Sequence, residues 1–414
     1  MKLYPPRLLA PKFFYSVLCQ HNITKAITVL GFIKVYIRSP INHHSNFVAQ
    51  GSLSFITTFI NVGHSLKGMA KSQKSSIEKF EGISYKVWVR NDKEHKRGCF
   101  SIGKRHIHSY PHIKRVLSLE KGIKKKFGEE EFYVEEKIDG YNIRALWAGE
   151  KIFCFTRSGH VDAFSTDRLR GSVVEELAKS GYVVCGEMVG NTPYTDMEDS
   201  YDIRFYVFDL FKGNRRLSPE ERREVMGGIE GSIDGETVLS VPSLGKFSIR
   251  DIEKLKKAVV KMDKEGKEGI VMKRKTEAIK YVLARHEIKA FVESYMAPFD
   301  YSPGFFKERA IRAALFMDEM GVNENMGMCV EEAVMKAVRQ VKERGRISKR
   351  FRVRVNNYTT WTDIKKRLSE SKDIYIREVA SEERNGKLEV VFEKVYVKSS
   401  AKLRSFLSGS AFVD

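Results

Sequence analysis

The chain has 414 residues, and its 73 Lys and Arg exceed its 53 Asp and Glu to give a formal net charge of +20. This length allows roughly two to four domains and an extensive hydrophobic core, which excludes the smallest classes of protein. The five cysteines contain no C-x-x-C pair, which argues against a zinc module or a disulfide framework and is typical of the reducing cytoplasm. The charge favours a polyanionic partner, most commonly nucleic acid, although a general bias toward lysine produces the same excess.

The first part of the chain differs in composition from the rest, because residues 1–77 contain no acid and the first is Glu78. A transit peptide is acid-poor in this way but usually richer in Arg. A membrane anchor is suggested by residues 39–66, which carry no Lys, Arg, Asp or Glu, but their Asn and His side chains are too polar for a membrane span. The abrupt change in composition favours a third interpretation, a start codon placed too far upstream, with the true first residue at or near Met69. We therefore expect residues 1–68 to lie outside the fold.

The body of the chain predicts a mixed arrangement of strands and helices. From Ser84 to Gly128 we expect short strands, such as YKVWV, and then a basic helical run, HIKRVLSLEKGIKKKF. Between residues 131 and 290 the predicted strands are FYVEEKI, NIRALWA, KIFCFT, YVVCGEMV, IRFYVFDLF, GIVMKR and AIKYVLA. Helices are expected at about 166–180, 218–228 and 250–264. Because strands and helices do not alternate regularly, this pattern favours an α+β fold.

Residues 303–346 lose the strand pattern, and two runs place apolar residues at helical spacing. The methionines of these runs are interpreted as packing residues, either within the helical unit or against a second subunit. They are Met317, Met320, Met326, Met328 and Met335. The last sixty or so residues predict a small α/β unit with the helix WTDIKKRL, the strands IYIREVA and KLEVVFEKVYV, and a hairpin turn at Asn385-Gly386.

The segment that bears the clearest chemistry is EEKIDGYNIR, residues 135–144, at the end of an apolar strand. Lys137 begins a K-x-D-G pattern within it. A lysine amine attacks phosphorus only when it is neutral, and desolvation or nearby cations lower its pKa enough to allow this. Gly140 permits a tight turn that brings the backbone close to a nucleotide. Alone, so short a pattern favours an ordinary surface lysine, so the segments that follow it decide the interpretation.

Further functional residues follow at the edges of predicted strands. Arg157 precedes a Ser-Gly pair where a ribose or an end phosphate can bind, and Glu187 interrupts an apolar strand. The strand FYVFDLF, residues 205–211, offers an aromatic ring that can stack on a base. EGIVMK at 268–273 and IKYV at 279–282 add an acid and two lysines. Adenylyl transfer requires such cations to neutralise phosphates and such carboxylates to hold a divalent ion.

This ordered set resembles the motifs of the covalent nucleotidyltransferase superfamily of ligases and capping enzymes. The matching segments are motif I at 137–140, Ia at 157–159, III at 185–190, IIIa at 205–211, IV at 268–273 and V at 279–282. Asn142 gives the form K-x-D-G-x-N, which is similar to RNA ligases, whereas DNA ligases and capping enzymes usually have Arg there. With its helical segment and C-terminal unit, the chain resembles the archaeal homodimeric ATP-dependent RNA ligase family over roughly residues 75–414.

The resemblance implies an α+β fold with a nucleotidyltransferase core of antiparallel sheets, of the ATP-grasp-like ligase type. It also implies a helical dimerisation unit, a small α/β C-terminal domain, and a homodimer formed through residues 303–350. The expected parts are an acid-poor extension at 1–68, an N-terminal module at 69–130, the nucleotidyltransferase domain at 131–292, the helical dimerisation domain at 293–352 and the C-terminal domain at 353–414.

The resemblance also assigns roles around the adenosine. Lys137 is expected to form a lysyl–AMP phosphoramidate, and Glu135 to lie beside the adenine amino group. Phe208 is expected to stack on the adenine face, and Arg157 and Glu187 to contact the ribose or a substrate end. Asn142, in the same motif as the lysine, is grouped with these ATP-binding residues.

Around the phosphates the resemblance assigns Lys273 and Lys280 to the α-phosphate. Glu268, together with Glu187, is expected to bind or orient a metal ion. One departure from the family pattern is Val282, which stands where a second motif V lysine is common. The phosphate assignments therefore depend more on Lys273 than they would in a typical member.

The implied activity is RNA ligation with ATP as substrate and Mg²⁺ or Mn²⁺ as cofactor. Lys137 attacks ATP, the AMP passes to an RNA 5′-phosphate, and a 3′-hydroxyl displaces the AMP to leave a phosphodiester bond. The expected partner is RNA, or single-stranded DNA, and joining within one molecule yields circular RNA. We expect a cytoplasmic protein with no membrane association.

Three alternatives remain. A DNA ligase or a capping guanylyltransferase would need an oligonucleotide-binding barrel with a late R-x-D-K-type element, whereas residues 290–414 predict helices and a short α/β pattern. The third alternative is a non-catalytic basic RNA-binding protein, in which Lys137→Arg would leave the function intact. Retention of label from ATP on the denatured chain distinguishes the enzyme from this binding protein.

Smaller signals are given simpler interpretations. The histidines of HIHSYPH, residues 106–112, have no Cys or acid at ligand spacing, which favours a polar loop or a nucleic-acid contact over a metal site. The Lys124-Lys125-Lys126 run is either a solvated face or a track for an RNA backbone. His286 and Lys289 follow motif V and are candidates to approach the pocket, and Cys185 is interpreted as a small buried apolar residue.

Overall fold

The structure is a computed structural model that describes residues 74–227, 231–233, 236–323 and 327–410. The interpretations given for residues 1–68, including a start at Met69, lie outside the described residues, as does Met326. No helix of the described part of the chain is long and apolar enough to cross a membrane.

Nineteen strands lie within the described ranges. They are β1 (Ser75–Phe80), β2 (Ile83–Trp88), β3 (Phe100–Ile102), β4 (Arg105–Ile107), β5 (Lys114–Arg115), β6 (Phe132–Lys137), β7 (Tyr141–Ala148), β8 (Lys151–Thr156), β9 (Tyr182–Gly190), β10 (Ile203–Lys212), β11 (Arg215–Arg216), β12 (Gly231–Ile233), β13 (Glu236–Ser240), β14 (Ser243–Phe247), β15 (Gly269–Arg274), β16 (Glu277–Val282), β17 (Ser348–Val355), β18 (Ile374–Arg384) and β19 (Lys387–Tyr396).

The same ranges contain ten α-helices and a 3₁₀ turn at Ile249–Asp251. The helices are α1 (Leu119–Phe127), α2 (Ala163–Arg168), α3 (Val173–Lys179), α4 (Pro219–Met226), α5 (Ile252–Lys264), α6 (Ala284–Ser294), α7 (Pro303–Met320), α8 (Gly327–Arg344), α9 (Tyr358–Leu368) and α10 (Val397–Leu407).

Two large sheets form the centre of the described chain. One has the order β12-β13-β10-β9-β7-β8, with β11 paired to β10, and the other has the order β14-β6-β15-β16-β5. All their pairings are antiparallel except β10 with β13 and β16 with β5. Helices cover them, and residues of both sheets line one cleft. The predicted α+β class with antiparallel sheets is therefore confirmed.

The N-terminal sheet, β1-β2-β3-β4, is a meander of antiparallel strands. Its apolar side chains are buried against those of β8, with Phe100 stacked on Phe155 at 3.8 Å between ring centroids. The guanidinium of Arg144 is 4.8 Å from the Phe100 ring centroid and donates a hydrogen bond to the carbonyl oxygen of Thr156, which precedes Arg157. The module is thereby joined to the back of the large sheet near the Arg157 loop.

The C-terminal sheet has the order β17-β19-β18 and packs on α9 through the fully buried ring of Trp361. Its core is continuous with that of the seven-stranded sheet, so these parts share one hydrophobic cluster. The predicted hairpin turn is confirmed, since Asn385 and Gly386 both have positive φ, at 51° and 73°. β17 begins at Ser348 and crosses the expected boundary between residues 352 and 353.

Some predicted elements differ in extent from those observed. The helical run expected before residue 128 is a helix only from Leu119, because Ser118 caps its N-terminus, and Lys114–Arg115 instead pair with β16. The helix expected at 166–180 is two short helices, α2 and α3, the second with its own cap at Ser172. The predicted strand AIKYVLA ends at Val282 because Ala284 already begins α6.

The methionines of the helical region divide between the core and the surface. Met317 and Met320 on α7 pack against the cluster under the five-stranded sheet, so they are packing residues within the chain. Met335 on α8 is exposed, together with Ile311 and Leu315 on α7.

Candidate active site

One cleft between the two large sheets is lined by all eight residues that the sequence assigned to ATP binding. They are Glu135, Lys137, Asn142, Arg157, Glu187, Phe208, Lys273 and Lys280. The antiparallel register explains their convergence: Lys137 pairs with Gly269, Val271 with Lys280, and Asn142 with Glu187. Because side chains alternate along strands, residues two positions apart face the same side, and here that side is the cleft.

Lys137 is the last residue of β6, where the strand gives way to the turn at Gly140. Its Nζ lies 2.6 Å from Oε2 of Glu268, and the two side chains are 20% and 11% exposed. The preceding residues Phe132 and Val134 point into the core, which fixes the strand beneath the lysine. The amine is therefore held at the open end of a rigid strand, against one carboxylate.

Gly140 has no space for a side chain. A Cβ atom built on it would lie 2.3 Å from the carbonyl oxygen of Met188 and 2.6 Å from Cγ1 of Val189. The neighbour is the backbone of β9, which carries Glu187. The glycine therefore allows the Lys137 turn to pass directly over β9.

We predict that Gly140→Ala costs about 1–3 kcal/mol of unfolding free energy, since the new methyl group must displace β9 backbone. It should also slow self-adenylation by displacing the turn after Lys137. Urea denaturation and retention of label from ATP measure the two effects. Gly304→Ala is the matched control, because its backbone is not left-handed and the atom nearest to a Cβ at that glycine, Oγ of Ser302, is 4.0 Å away. Equal results for the two variants would contradict the close-approach argument.

Glu187 and Asn142 are neighbours on β9 and β7. Burial raises the pKa of Glu187 to about 8; Lys137 opposes this shift, and Glu268 adds to it. The Asn142 side-chain oxygen is buried and has no donor among the described residues. A buried acceptor without a partner is costly, so a donor from a bound ligand would stabilise it.

Lys280 and Arg157 bring positive charge to the cleft, and Glu268 offsets part of it at Lys280 without forming an ion pair. No carboxylate in the described parts of the chain forms an ion pair with either side chain. The pKa of Lys280 is lowered by burial and then by the nearby cations Lys137, Arg115 and Arg157. A polyphosphate entering the cleft would relieve this repulsion, because each phosphate oxygen accepts hydrogen bonds from ammonium and guanidinium groups.

Lys273 differs from Lys280 because its ammonium already has three partners. It lies 2.8 Å from Oε2 of Glu135, 3.0 Å from Oδ1 of Asp209 and 2.8 Å from the carbonyl oxygen of Phe208. Arg222 of α4 completes the network at 2.5 Å from Oε1 of Glu135. Burial alone would raise the pKa of Glu135, but Lys273 and Arg222 outweigh it and hold that pKa below the usual value. This network forms the floor of the cleft.

Phe208 lies at an irregularity of β10, where the register shifts between Val207 and Asp209. Tyr110 meets its ring edge-on at 5.5 Å between centroids, and the carbonyl oxygen of Phe208 accepts hydrogen bonds from Lys273 and Arg222. The bulge and these bonds set the position of an aromatic face in the cleft. Tyr110 and Pro111 line the cleft next to this ring.

A group of three potential metal ligands adjoins Lys137. Ligand atoms of Asp139, Glu268 and His286 all lie within 4.8 Å of one another. His286 Nδ1 is 3.5 Å from Oδ2 of Asp139, and its Nε2 is 3.8 Å from Oε1 of Glu268. The hydrogen bond from His286 is the largest cause that lowers the pKa of Asp139. Two carboxylates and an imidazole suit Mn²⁺ and tolerate Mg²⁺, so the donor set fits a divalent ion.

Sequence reasoning placed His286 near the pocket, and the structure brings it there. Lys289 lies on the next turn of α6 and makes a long ion pair with Glu293, 4.0 Å apart. The sequence missed Arg222, Asp139 and Tyr110. Asp139 was visible within the K-x-D-G pattern, whereas Arg222 gave no signal, since it lies on a charged helix 87 residues from its partner Glu135.

Two family models match the chain in succession. The model described as RNA ligase matches residues 130–289, and that of the Pab1020 ligase C-terminal region matches residues 292–410. Together they span about two-thirds of the chain and contain every residue of the cleft from Glu135 to Lys280. A curated relative, the uncharacterized protein MJ0414 of Methanocaldococcus jannaschii, is 25% identical over 333 residues, which is 73% of this chain and 82% of that protein.

Solved structures share the fold over most of the described chain. A putative ATP-dependent DNA ligase from Aquifex aeolicus superposes with a TM-score of 0.75 at 26% identity, covering 85% of this chain and 100% of that one. An archaeal ATP-dependent RNA ligase superposes with a TM-score of 0.72 at 21% identity, covering 84% and 96%. These structural similarities show the fold, whereas the assignment to a family rests on the two family models. The chain therefore belongs to the RNA ligase family that these two models describe, and it is an ATP-dependent ligase.

Proposed function

We propose that the protein joins the 5′-phosphate and 3′-hydroxyl ends of RNA, with AMP carried on Lys137 as a covalent intermediate. The observation that carries the proposal is the position of Lys137 at the end of β6, beside Glu268, in a cleft where Lys280 and Arg157 have no carboxylate partner among the described residues. A nucleophilic amine beside unpaired cations is what attack on a polyphosphate requires.

In the first step the neutral amine of Lys137 attacks the α-phosphorus of ATP. An N–P bond forms, the bond from that phosphorus to the β-phosphate oxygen breaks, and pyrophosphate leaves while the amine loses its proton. We assign Lys280 and Arg157 to the phosphates, because their charges are available. We assign Phe208 to stacking on the adenine. We propose that the side-chain oxygen of Asn142 accepts a hydrogen bond from a donor group of the substrate.

Lys273 and Glu135 are given a different role from the one that the resemblance implies. Their charges neutralise each other within the network that includes Arg222 and Asp209. We propose that they keep Phe208 in place beneath the base, and that Lys280 is the lysine that contacts the α-phosphate.

We propose that Glu268 holds a divalent ion together with Asp139 and His286, and that Glu187, whose pKa is raised by burial and then by the charges of Glu268 and Asp139, lies near this group. Such an ion, Mg²⁺ or Mn²⁺, supplies positive charge to the phosphates and the leaving pyrophosphate. Glu268 is also the residue that holds the Lys137 ammonium. Sharing Glu268 with a cation would weaken its hold on the lysine proton, which favours the neutral amine.

In the second step a 5′-phosphate oxygen of RNA attacks the AMP phosphorus, and the N–P bond breaks to restore Lys137. In the third step a 3′-hydroxyl attacks the activated 5′-phosphorus, and AMP leaves. A chain of net charge +20 attracts such a polyanion. Joining within one RNA would give a circle.

The proposal is tested with a 5′-labelled RNA that carries a 3′-hydroxyl, incubated with ATP and Mg²⁺ or Mn²⁺. Label that becomes resistant to phosphatase, in circles or concatemers, is the expected product. GTP in place of ATP should give none, and Lys137→Ala is the control. If the wild type leaves all label sensitive to phosphatase, RNA sealing is not its activity.

DNA sealing is the second candidate, because the Aquifex aeolicus structure at 26% identity is described as a putative DNA ligase. The same assay on single-stranded and nicked DNA of matched sequence separates the two. We expect RNA ends to be sealed faster, with single-stranded DNA a weaker substrate. Faster sealing of nicked DNA would favour the second candidate.

We also propose the homodimer that the family resemblance implies, formed through residues 303–350. It is supported by large apolar side chains that α7 and α8 leave exposed: Ile311, Leu315, Val334 and Met335. Light scattering on the wild type and on Ile311→Glu tests this, with a twofold fall in mass expected for the variant. A monomeric wild type would contradict it.

Glu187→Gln should change how unfolding free energy depends on pH. Burial raises the folded-state pKa of Glu187 from 4.5 to about 8, so the folded wild type binds the proton more tightly than the unfolded chain. The wild type therefore loses stability as pH rises from the unfolded-state value through about 8, and the glutamine variant avoids this loss. Urea denaturation at several pH values should show that the unfolding free energy of the variant, relative to that of the wild type, increases with pH up to about pH 8. A constant difference between them would refute the shift.

A further inference from the structure

A cluster of one thiol and two imidazoles lies on the N-terminal sheet, outside the nucleotide cleft. The β3–β4 hairpin pairs Phe100 with Ile107 and Ser101 with His106. Cys99 and His108, which flank the first of these pairs, therefore face each other across the hairpin. Ligand atoms of Cys99, His106 and His108 all lie within 4.8 Å of one another.

His106 has one nitrogen that is engaged and one that is free. Its Nδ1 lies 2.9 Å from Oγ of Ser101, while its Nε2 is buried and has no hydrogen-bond partner in the described part of the chain. Histidines that bind metals have this arrangement, because a second group fixes the ring and leaves the other nitrogen for the ion. A buried imidazole nitrogen with no partner is otherwise costly.

Cys99 is also suited to an ion. It is 2% exposed, and its Sγ accepts a hydrogen bond from the backbone N–H of Ser109 at 3.2 Å. The His108 ring lies 5.0 Å from the His106 ring between centroids, so the two imidazoles are close enough to share one ion.

We propose that Cys99, His106 and His108 bind one divalent transition-metal ion of the zinc class, with water in the fourth position. Binding releases the thiol proton of Cys99 and forms one S–metal and two N–metal bonds. The set is one thiolate and two imidazoles, which are the ligands that zinc prefers. A tetrahedral ion would draw the three side chains together by about 1 Å from their present spacing.

The site is placed to hold the wall of the nucleotide cleft. Arg144, whose guanidinium is buried, donates hydrogen bonds to the carbonyl oxygens of Gly98 and His108, both at 2.8 Å, and to that of Thr156 at 3.1 Å. Gly98 precedes one ligand, His108 is another, and Thr156 precedes the cleft residue Arg157. Tyr110, two residues after His108, lines the cleft. The ion would therefore fix the hairpin that supports this wall.

Cobalt is the probe, because a Co²⁺–thiolate bond gives a charge-transfer band in the near ultraviolet that water and imidazole ligands do not give. The full-length chain, without a histidine tag, is stripped with a chelator and titrated with Co²⁺. We expect the intensity of this band to rise during the titration and to reach its maximum at one Co²⁺ ion per chain. Excess Zn²⁺ should abolish it.

Three variants locate the site. Cys99→Ser should lose the band, and His108→Gln should weaken Co²⁺ binding at least tenfold. His108 is exposed, so its replacement is expected to leave the circular dichroism spectrum and melting temperature of the metal-free protein unchanged. His112→Gln, an exposed histidine just beyond the hairpin, is the matched control and should bind like the wild type.

Two results would overturn the proposal. One is a wild type that shows no thiolate band at stoichiometric Co²⁺. The other is a band that persists in Cys99→Ser, which would place the thiolate ligand elsewhere in the chain, or Co²⁺ binding that is unchanged in His108→Gln, which would exclude His108 as a ligand. If His108→Gln fails to fold, Cys99→Ser alone decides, since a band in that variant also excludes the site.

Discussion

Lys137→Ala should retain no label when incubated with α-³²P-labelled ATP and run on a denaturing gel, whereas the wild type retains it. Removing a nucleophile typically lowers the rate by about 10⁴-fold or more, because no other group takes its place. Because Lys137 and Glu268 are only 20% and 11% exposed, the loss of their ion pair is expected to cost about 1–3 kcal/mol, and circular dichroism checks that the variant is folded.

Lys137→Arg is the sharper variant. The guanidinium keeps the positive charge beside Glu268 but cannot be deprotonated, so it cannot attack phosphorus. We expect ATP to bind and no label to be retained. Retention of label by either variant would show that another side chain is the nucleophile.

Lys273→Met should destabilise the protein by about 3–5 kcal/mol, because it leaves the buried carboxylates of Glu135 and Asp209 with insufficient positive charge. Glu135 is 1% exposed, so water cannot replace the missing ammonium. Urea denaturation measures the loss. Self-adenylation should fall as well, because Phe208 loses the donor to its carbonyl oxygen.

Lys280→Met is the matched control for this effect. Its ammonium has no ion pair among the described residues, so the unfolding free energy should change by about 1 kcal/mol or less, while self-adenylation falls by about 10²–10³-fold. The pair of variants thus separates a floor lysine from a phosphate lysine. Equal stability of the two, with equal losses of activity, would mean that both contact the nucleotide.

The sequence predicted which residues meet in the cleft better than it predicted what each one does. Apolar runs marked β6, β9, β10, β15 and β16, and a polar residue at the edge of an apolar strand must face a cleft or a partner. Lys273 and Lys280 are indistinguishable on that criterion. Their difference depends on Arg222 and Asp209, which come from a helix and from a strand of the other large sheet and are brought close only by tertiary packing.

The histidine segment illustrates the same limit. Ligand spacing along the chain shows no cysteine near His106, but a hairpin brings Cys99 opposite His108, nine residues away. A sequence pattern can reveal metal ligands that lie within one turn or loop. Ligands that lie on two paired strands can be recognised only when the pairing register of the strands is known. The extents of helices were missed for a related reason, since caps such as Ser118 and Ser172 override the periodicity of the flanking residues.

The central claim is that Lys137 carries the nucleotide, and peptide mass spectrometry tests it most directly. The wild type is incubated with ATP and a divalent ion, then digested at neutral to alkaline pH, where a lysyl phosphoramidate survives. The account predicts one AMP adduct, on the peptide that contains Lys137, and its disappearance when RNA with a 5′-phosphate is added. An adduct on Lys273, Lys280 or any other residue, or no covalent AMP at all, would contradict it.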